Sequence, residues 1–303
     1  MTGSDLAPAR AEKVTTINRQ EKDEMLNSSV PRVSNAVLRP LTSTGWQDLV
    51  VGLAKIELWG RLGWLDVKRR YRRTTIGPFW NSVTLAMYVI SVGFVGSALS
   101  QQSLRDYLPF LASGMVVWMF VSTIISESCG LLVAGHPLFR NIRFEYSILA
   151  YALVWRNFIV FLHNLVVYLL IVLIFKPQAL NFATPLVIPG LIFILINGVW
   201  VALLCGMFCL RYRDVNPLVG TLMQISMLVT PLFWPADILS GQRRFLFVEL
   251  NPLYHLIEVV RAPLLGNVPP LTSYAAVLVI TLAGWWMTVV IFERYRKRIT
   301  FWS

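Results

Sequence analysis

The chain has 303 residues, of which 56% are hydrophobic and only 14% charged, and its formal net charge is +11. Water-soluble domains carry roughly a quarter charged residues, so this composition excludes an ordinary soluble fold and points to a chain whose solvent is largely lipid. The cations fall between apolar runs, which fits loops retained on one side of a membrane and argues against a nucleic-acid footprint.

Residues 1–45 are polar, mixed in charge and free of any apolar run, so they read as a flexible cytosolic tail and not as a signal peptide. Residues 46–73 place Leu49, Val50, Leu53 and Ile56 at helical spacing among charges, with Trp46, Trp59 and Trp64 nearby. That pattern predicts an amphipathic helix lying in the membrane interface. A six-helix transmembrane domain is expected over 74–293. Its uncharged runs are 74–104, 107–139 (broken by Glu127), 146–175 (broken by Arg156), 177–210, 215–236 and 262–292. Each reaches the roughly 17–25 residues that a crossing helix needs. They are continuously apolar and do not alternate, so helices are favoured over a barrel. Between the fifth and sixth runs, residues 237–261 hold only short apolar patches, which predicts re-entrant or gate helices. The fold class read here is therefore an all-α membrane protein: six transmembrane helices, an N-terminal interfacial helix, and a cytosolic tail over 294–303.

The loops set the orientation. Arg61, Lys68 to Arg70, Arg72, Arg73, Arg140, Arg143, Arg211, Arg213 and the Arg294–Arg298 cluster lie on one side, against only Arg105, Lys176, Arg243, Arg244 and Arg261 on the other. The Lys/Arg bias puts both termini in the cytoplasm.

Chemistry-bearing constellations are sparse. None of the lysines follows a glycine, so there is no phosphate-binding loop of the strand–Gly–Lys type, and HExxH, GxSxG and GxGxxG do not occur. His136, His163 and His255 are far apart, and Cys129, Cys205 and Cys209 sit inside apolar runs without metal-ligand spacing. The reading is a chain that catalyses no covalent step and binds no cofactor of its own. Glu127 is the sharpest lone feature, because a carboxylate inside a span is costly. It could face a polar pathway or pair with Arg156.

Four segments, in order, carry a resemblance. They are Asp66 to Trp80 (DVKRRYRRTTIGPFW), Arg211-Tyr-Arg-Asp214, Thr230-Pro231-Leu-Phe-Trp-Pro235, and Asn251-Pro252 through Glu258 to Arg261; the tail 294–302 also fits. Together they resemble the type-2 ABC export permeases, in the branch that exports O-antigen, capsule or related glycans. The resemblance implies a homodimer with a pore between protomers in the bacterial inner membrane. Two copies of a separate cytoplasmic ATPase would bind ATP and Mg, and lipid-linked polysaccharide would be the cargo, with membrane lipid but no nucleic acid as further partners. It assigns ATPase coupling to the loop holding His136, Pro137, Arg140, Asn141, Arg143, Phe144 and Glu145, although relatives often read Phe-Pro-Arg where this chain has Phe144-Glu145-Tyr146. A cytoplasmic gate would use Lys68, Arg69, Arg70, Tyr71 and Trp80. Tyr88, Phe94, Glu127 and Phe233 are channel candidates, and Trp234, Asn251, Pro252, Tyr254 and Arg261 belong to the outer gate. The alternatives are a type-2 ABC permease for another lipid or a drug, a membrane glycosyl or phospho-sugar transferase, which would need clustered carboxylates at one face, and a proton-coupled carrier, which would need more ionisable residues in the spans.

Overall fold

The computed structural model describes residues 44–72, 74–77, 79–135 and 145–299, and no strand occurs among them. The chain enters through two short helices, α1 (Gly45–Ala54) and α2 (Ile56–Tyr71). Thr44 starts α1 with a reciprocal capping box: its hydroxyl accepts from Gln47 N at 3.3 Å, while Gln47 Oε1 accepts from Thr44 N at 2.9 Å. The sequence predicts one continuous interfacial helix here, but Lys55, at φ −82°, ψ 51°, interrupts it. At this break Lys55 turns its ammonium onto Glu145, 2.6 Å away and ninety residues later.

Among the described residues, five helices are long and apolar enough to cross a membrane: α3 (Phe79–Leu99), α4 (Leu104–Ser128), α5 (Ser147–Phe175), α6 (Val187–Arg211, led in by a single turn at Thr184–Leu186) and α9 (Leu271–Tyr295). A shorter apolar helix, α7 (Val215–Val229), follows α6, and α8 (Pro252–Leu264) precedes α9. α4 is the hub and packs on α3, α5, α6, α7 and α8. Accordingly 72% of its apolar window is buried, against 22% for α3 and 28% for α9.

Several boundaries differ from the sequence reading, the fifth run of 215–236 among them, whose helix ends at Val229. The last spanning helix begins at Leu271 and not at 262, because Gly266 turns the chain at φ 82° and Pro269-Pro270 cannot continue a helix. Ala262 to Leu264 instead finish α8. The fourth run opens with isolated single turns at Pro177–Ala179 and Thr184–Leu186, each built on a proline, before α6 becomes regular.

Polar contacts sort the helix ends into two groups. At one end α1 meets the start of α5 and the residues just after α9, through Asp48, Ser147 and Arg296. At the other, Tyr107 donates to Phe233 O at 2.8 Å, Arg105 donates to Phe175 O at 2.9 Å, and Asn181 donates to Gly266 O at 2.8 Å. α7 runs from the first group towards the second.

Candidate functional site

The first polar centre is built on α1. Asp48 is fully buried and faces the N-terminus of α5, where it accepts from the backbone amides of Tyr146 (3.2 Å) and Ser147 (3.1 Å). α5 has no side-chain cap of its own, so a carboxylate from another helix satisfies its first amides and complements its dipole. Ser147 returns a bond to Asp48 O at 2.8 Å, and Tyr151 donates to Leu49 O at 3.1 Å. From the opposite side Arg296 reaches Asp48 at 2.8 Å, and Glu293 accepts from Gly45 N. Burial pushes the Asp48 carboxyl above the ordinary carboxylate range, while the Ser147 and Tyr146 amides and the Arg296 guanidinium oppose that push. α1 is thereby fastened at once to the start of the third span and to the end of the last.

The second centre lies where α2 crosses α4 and α5. Glu127 accepts from Arg70 at 2.5 Å, from Arg156 at 2.7 Å and from Asn157 at 2.9 Å. Arg156 extends the network to Asp66 on α2 at 3.0 Å. Of the two placements the sequence left open, the carboxylate has Arg156 beside it. It also has a second guanidinium, Arg70, supplied by α2. Gly63 lets α2 lie directly on α5, since a Cβ there would sit 2.8 Å from Ala152 O. A small cavity of about 50 Å³, lined by Arg70, Tyr71, Asn81, Asn157 and Asn164, adjoins the network.

The third centre is the broken segment between α7 and α9. α7 stops at Val229, Thr230 turns extended, and a single turn at Ala236–Ile238 and short helical pieces at Gly241–Arg244 and Phe245–Glu249 follow. Asn251 then caps α8, accepting from Leu253 N (3.0 Å) and Tyr254 N (3.2 Å), with Pro252 at the first helical position where its missing N–H costs nothing. Arg261 is 4% exposed and holds the break together. Its Nη1 donates to Pro231 O at 2.5 Å, its Nε and Nη2 donate to Glu258, and it lies 5.0 Å over the Phe110 ring.

These centres account for the predicted residues unevenly. Arg70 and Glu127, assigned to the gate and to the channel, touch each other, and Asn251, Pro252, Tyr254 and Arg261 share α8 and its cap. Trp80 is 57% exposed and Phe94 60%, both on α3, and Tyr88 is also exposed there. Phe233 and Trp234 line an open groove of about 610 Å³ with Val95, Leu99 and Tyr107. Lys68 and Arg69 are exposed on the last turn of α2, where Tyr71 is half-buried. Of the coupling-loop residues, His136, Pro137, Arg140, Asn141, Arg143 and Phe144 lie outside the described residues, whereas Glu145 pairs with Lys55. Sequence reasoning missed Asp48 and Arg296. The available signal was an acidic residue inside an otherwise apolar helical stripe, Leu49-Val50-Val51.

Among the described residues, five helices long and apolar enough to cross a membrane, with α4 at their hub, a basic helix before them and a broken segment ahead of the last, fit a multi-pass membrane transport subunit. The chain belongs to the ABC-2 type transporter family, whose model matches residues 57–265. It is similar to the O-antigen export system permease protein RfbA of Myxococcus xanthus, at 23% identity over 240 residues, covering 77% of this chain and 90% of that protein.

Proposed function

We propose that this chain is the permease subunit of an ATP-driven exporter that moves lipid-linked polysaccharide across the bacterial inner membrane. It would act as a homodimer with two copies of a cytoplasmic ABC ATPase, which bind the ATP and Mg. The observation that carries the substrate class is the likeness to an O-antigen export permease over 90% of that protein's length. We further read six crossings with both termini cytoplasmic. This reading is supported by α1, the start of α5 and the residues after α9 meeting at one end of the bundle.

The polar centres supply a route for coupling. Force delivered by the ATPase near the base of the loop before α5 reaches Glu145, Tyr146 and Ser147. From there it passes through Lys55 and Asp48 into α1 and α2. α2 carries it through Arg70 to Glu127 on α4, the helix that packs on most of the others. α2 would then gate the cytoplasmic side and the Arg261-centred break the outer side. Tyr88, Phe94 and Phe233 offer aromatic faces to a sugar polymer.

Deleting the gene in its host tests this reading. Lipid-linked glycan should accumulate in the cytoplasmic leaflet and surface glycan should fall, both restored by the wild-type gene. Normal surface glycan with no accumulating intermediate would overturn the substrate class, and a different retained lipid or drug would select the other type-2 permease reading.

A further inference from the structure

Where α6 and α9 end side by side, they enclose an open groove of about 470 Å³. The size is that of a ligand site, and ligand pockets run from roughly 300 to 1,000 Å³. The character of its walls changes along the helix axes. Towards the membrane centre they are apolar, with Phe208 and Val290 both about half exposed. At the helix ends the lining turns cationic, with Arg211 from α6, Arg294 from α9 and Arg298 just beyond. Two tyrosines, Tyr212 and Tyr295, stand at the transition. The Arg294 and Arg298 guanidiniums each lie 5.9 Å from the Tyr295 ring, and Arg211 lies 5.7 Å from Tyr212, so cation–π contacts keep the charges at the rim. None of the described side chains lining the groove is acidic.

We infer that this groove is a binding site for an anionic phospholipid of the leaflet on that side. A phospholipid has the same polarity profile in the same order: acyl chain, ester level, phosphate. Guanidiniums match phosphate oxygens in bidentate geometry, and aromatic rings with polar edges suit the ester level. The last carbonyls of α6 and α9 carry partial negative charge, roughly half a unit per helix, which three full cations outweigh. Bilayer lipid is the occupant in place of the export cargo, because the groove is on another face from the channel candidates. α9 packs on α6, α8 and α1, whereas α3, which carries Tyr88 and Phe94, packs on α4 and α5. The inference rests on the membrane placement of α6 and α9 and not on what is exported.

The test is photo-crosslinking of the full-length protein in nanodiscs with photoactivatable phosphatidylglycerol or phosphatidylcholine, mapped by peptide mass spectrometry. Phosphatidylglycerol should label residues 207–212 and 290–298 in preference to phosphatidylcholine. The variant R211Q/R294Q/R298Q should lose labelling, with affinity reduced roughly a hundredfold, since each arginine near the surface adds about fivefold for anionic lipid. A second variant, Val290→Trp, fills the groove and keeps every charge, and it should also lose the label. Unlabelled phosphatidylglycerol should compete. Equal labelling by both lipids, unchanged labelling in both variants, or competition by a polyprenyl phosphate but not by phosphatidylglycerol would overturn the assignment.

Discussion

Asp48 has no exposed surface, yet it is an acceptor for two backbone amides and a guanidinium drawn from two other helices. Replacing it removes the cap of α5 and the carboxylate opposite Arg296 in one step. Breaking a buried pair from one side costs about 3–5 kcal/mol. Asp48→Ala should therefore lower the thermal unfolding midpoint in detergent by several degrees. The double variant with Arg296→Gln should be less destabilised than the two single losses added, because contacting residues couple by about 0.5–3 kcal/mol. Strict additivity would show that the two side chains do not act as a pair. Glu127 is a milder case. Its side chain is 19% exposed, its partner Arg70 keeps 45% access to solvent, and Asp66, which shares Arg156 with it, keeps 40%. Glu127→Gln keeps the bulk and the Asn157 neighbour but removes the charge that joins α2 to α4. Its expected stability cost is about 1–3 kcal/mol. On the coupling route proposed above, transport should fall further than partner ATPase activity does, read as glycan exported per ATP hydrolysed. Equal loss of both would mean that the network is only structural.

Elements meet here through glycines and caps, and this can be tested with a matched pair. On α6, a Cβ at Gly190 would lie 2.5 Å from Val259 O, a backbone atom that cannot move aside. Gly190→Ala should therefore force α6 and α8 apart at about 1–3 kcal/mol or more, seen as a lowered unfolding midpoint. On α2, a Cβ at Gly60 would meet nothing within 4 Å. Gly60→Ala should raise the midpoint, since alanine is about 0.5–1 kcal/mol better than glycine inside a helix. The contrast also marks what could be read from residues alone. The long apolar runs announced α3, α4, α5, α6 and α9 because lipid leaves a helix no other way to satisfy its backbone. Asn251-Pro252 likewise carries its own reason for starting a helix, in a cap and a pre-set φ. The pair that Lys55 makes at the break between α1 and α2 is not announced, because Glu145 is ninety residues away. Asp48 was illegible for the same reason: its partners are 98, 99 and 248 positions along the chain. Glu127 could be recognised as exceptional, and Arg156 as a partner for it. The second cation, Arg70, could not be foreseen, because it depends on how α2 lies across the bundle.

At the scale of the whole molecule the open issue is parity, and α7 decides it. Among the described residues five helices are long enough to cross unaided, and an odd number would put the two termini on opposite sides. α7 has 15 residues, so it rises roughly 22 Å. That is short of a hydrocarbon core of about 30 Å. The remaining depth has to come from the irregular segment after Val229, which turns at Pro231-Leu232 and is extended at Thr230 and Pro235, each with ψ 138°. Contacts at both ends argue that the crossing is completed. The Arg211 end of α6 borders the same groove as Arg294, whereas Phe233 receives a hydrogen bond from Tyr107, at the start of α4. On the proposed six-crossing reading, in which the residues before α3 and those after α9 that Asp48 joins share one side, the chain between Arg211 and Leu271 returns to the opposite face, and α7 is the apolar helix available to do so. Cysteine accessibility tests this directly. In a background with Cys129, Cys205 and Cys209 replaced by alanine, Asp214→Cys and Asp237→Cys place single thiols at exposed positions on either side of α7. A membrane-impermeant maleimide added to cells with a permeabilised outer membrane should label the Asp237→Cys protein and spare the Asp214→Cys protein until the inner membrane is opened. The Arg294→Cys protein should behave like the latter. Labelling of both flanks of α7 from the same side would reduce the crossings to five and overturn the proposed six-crossing reading.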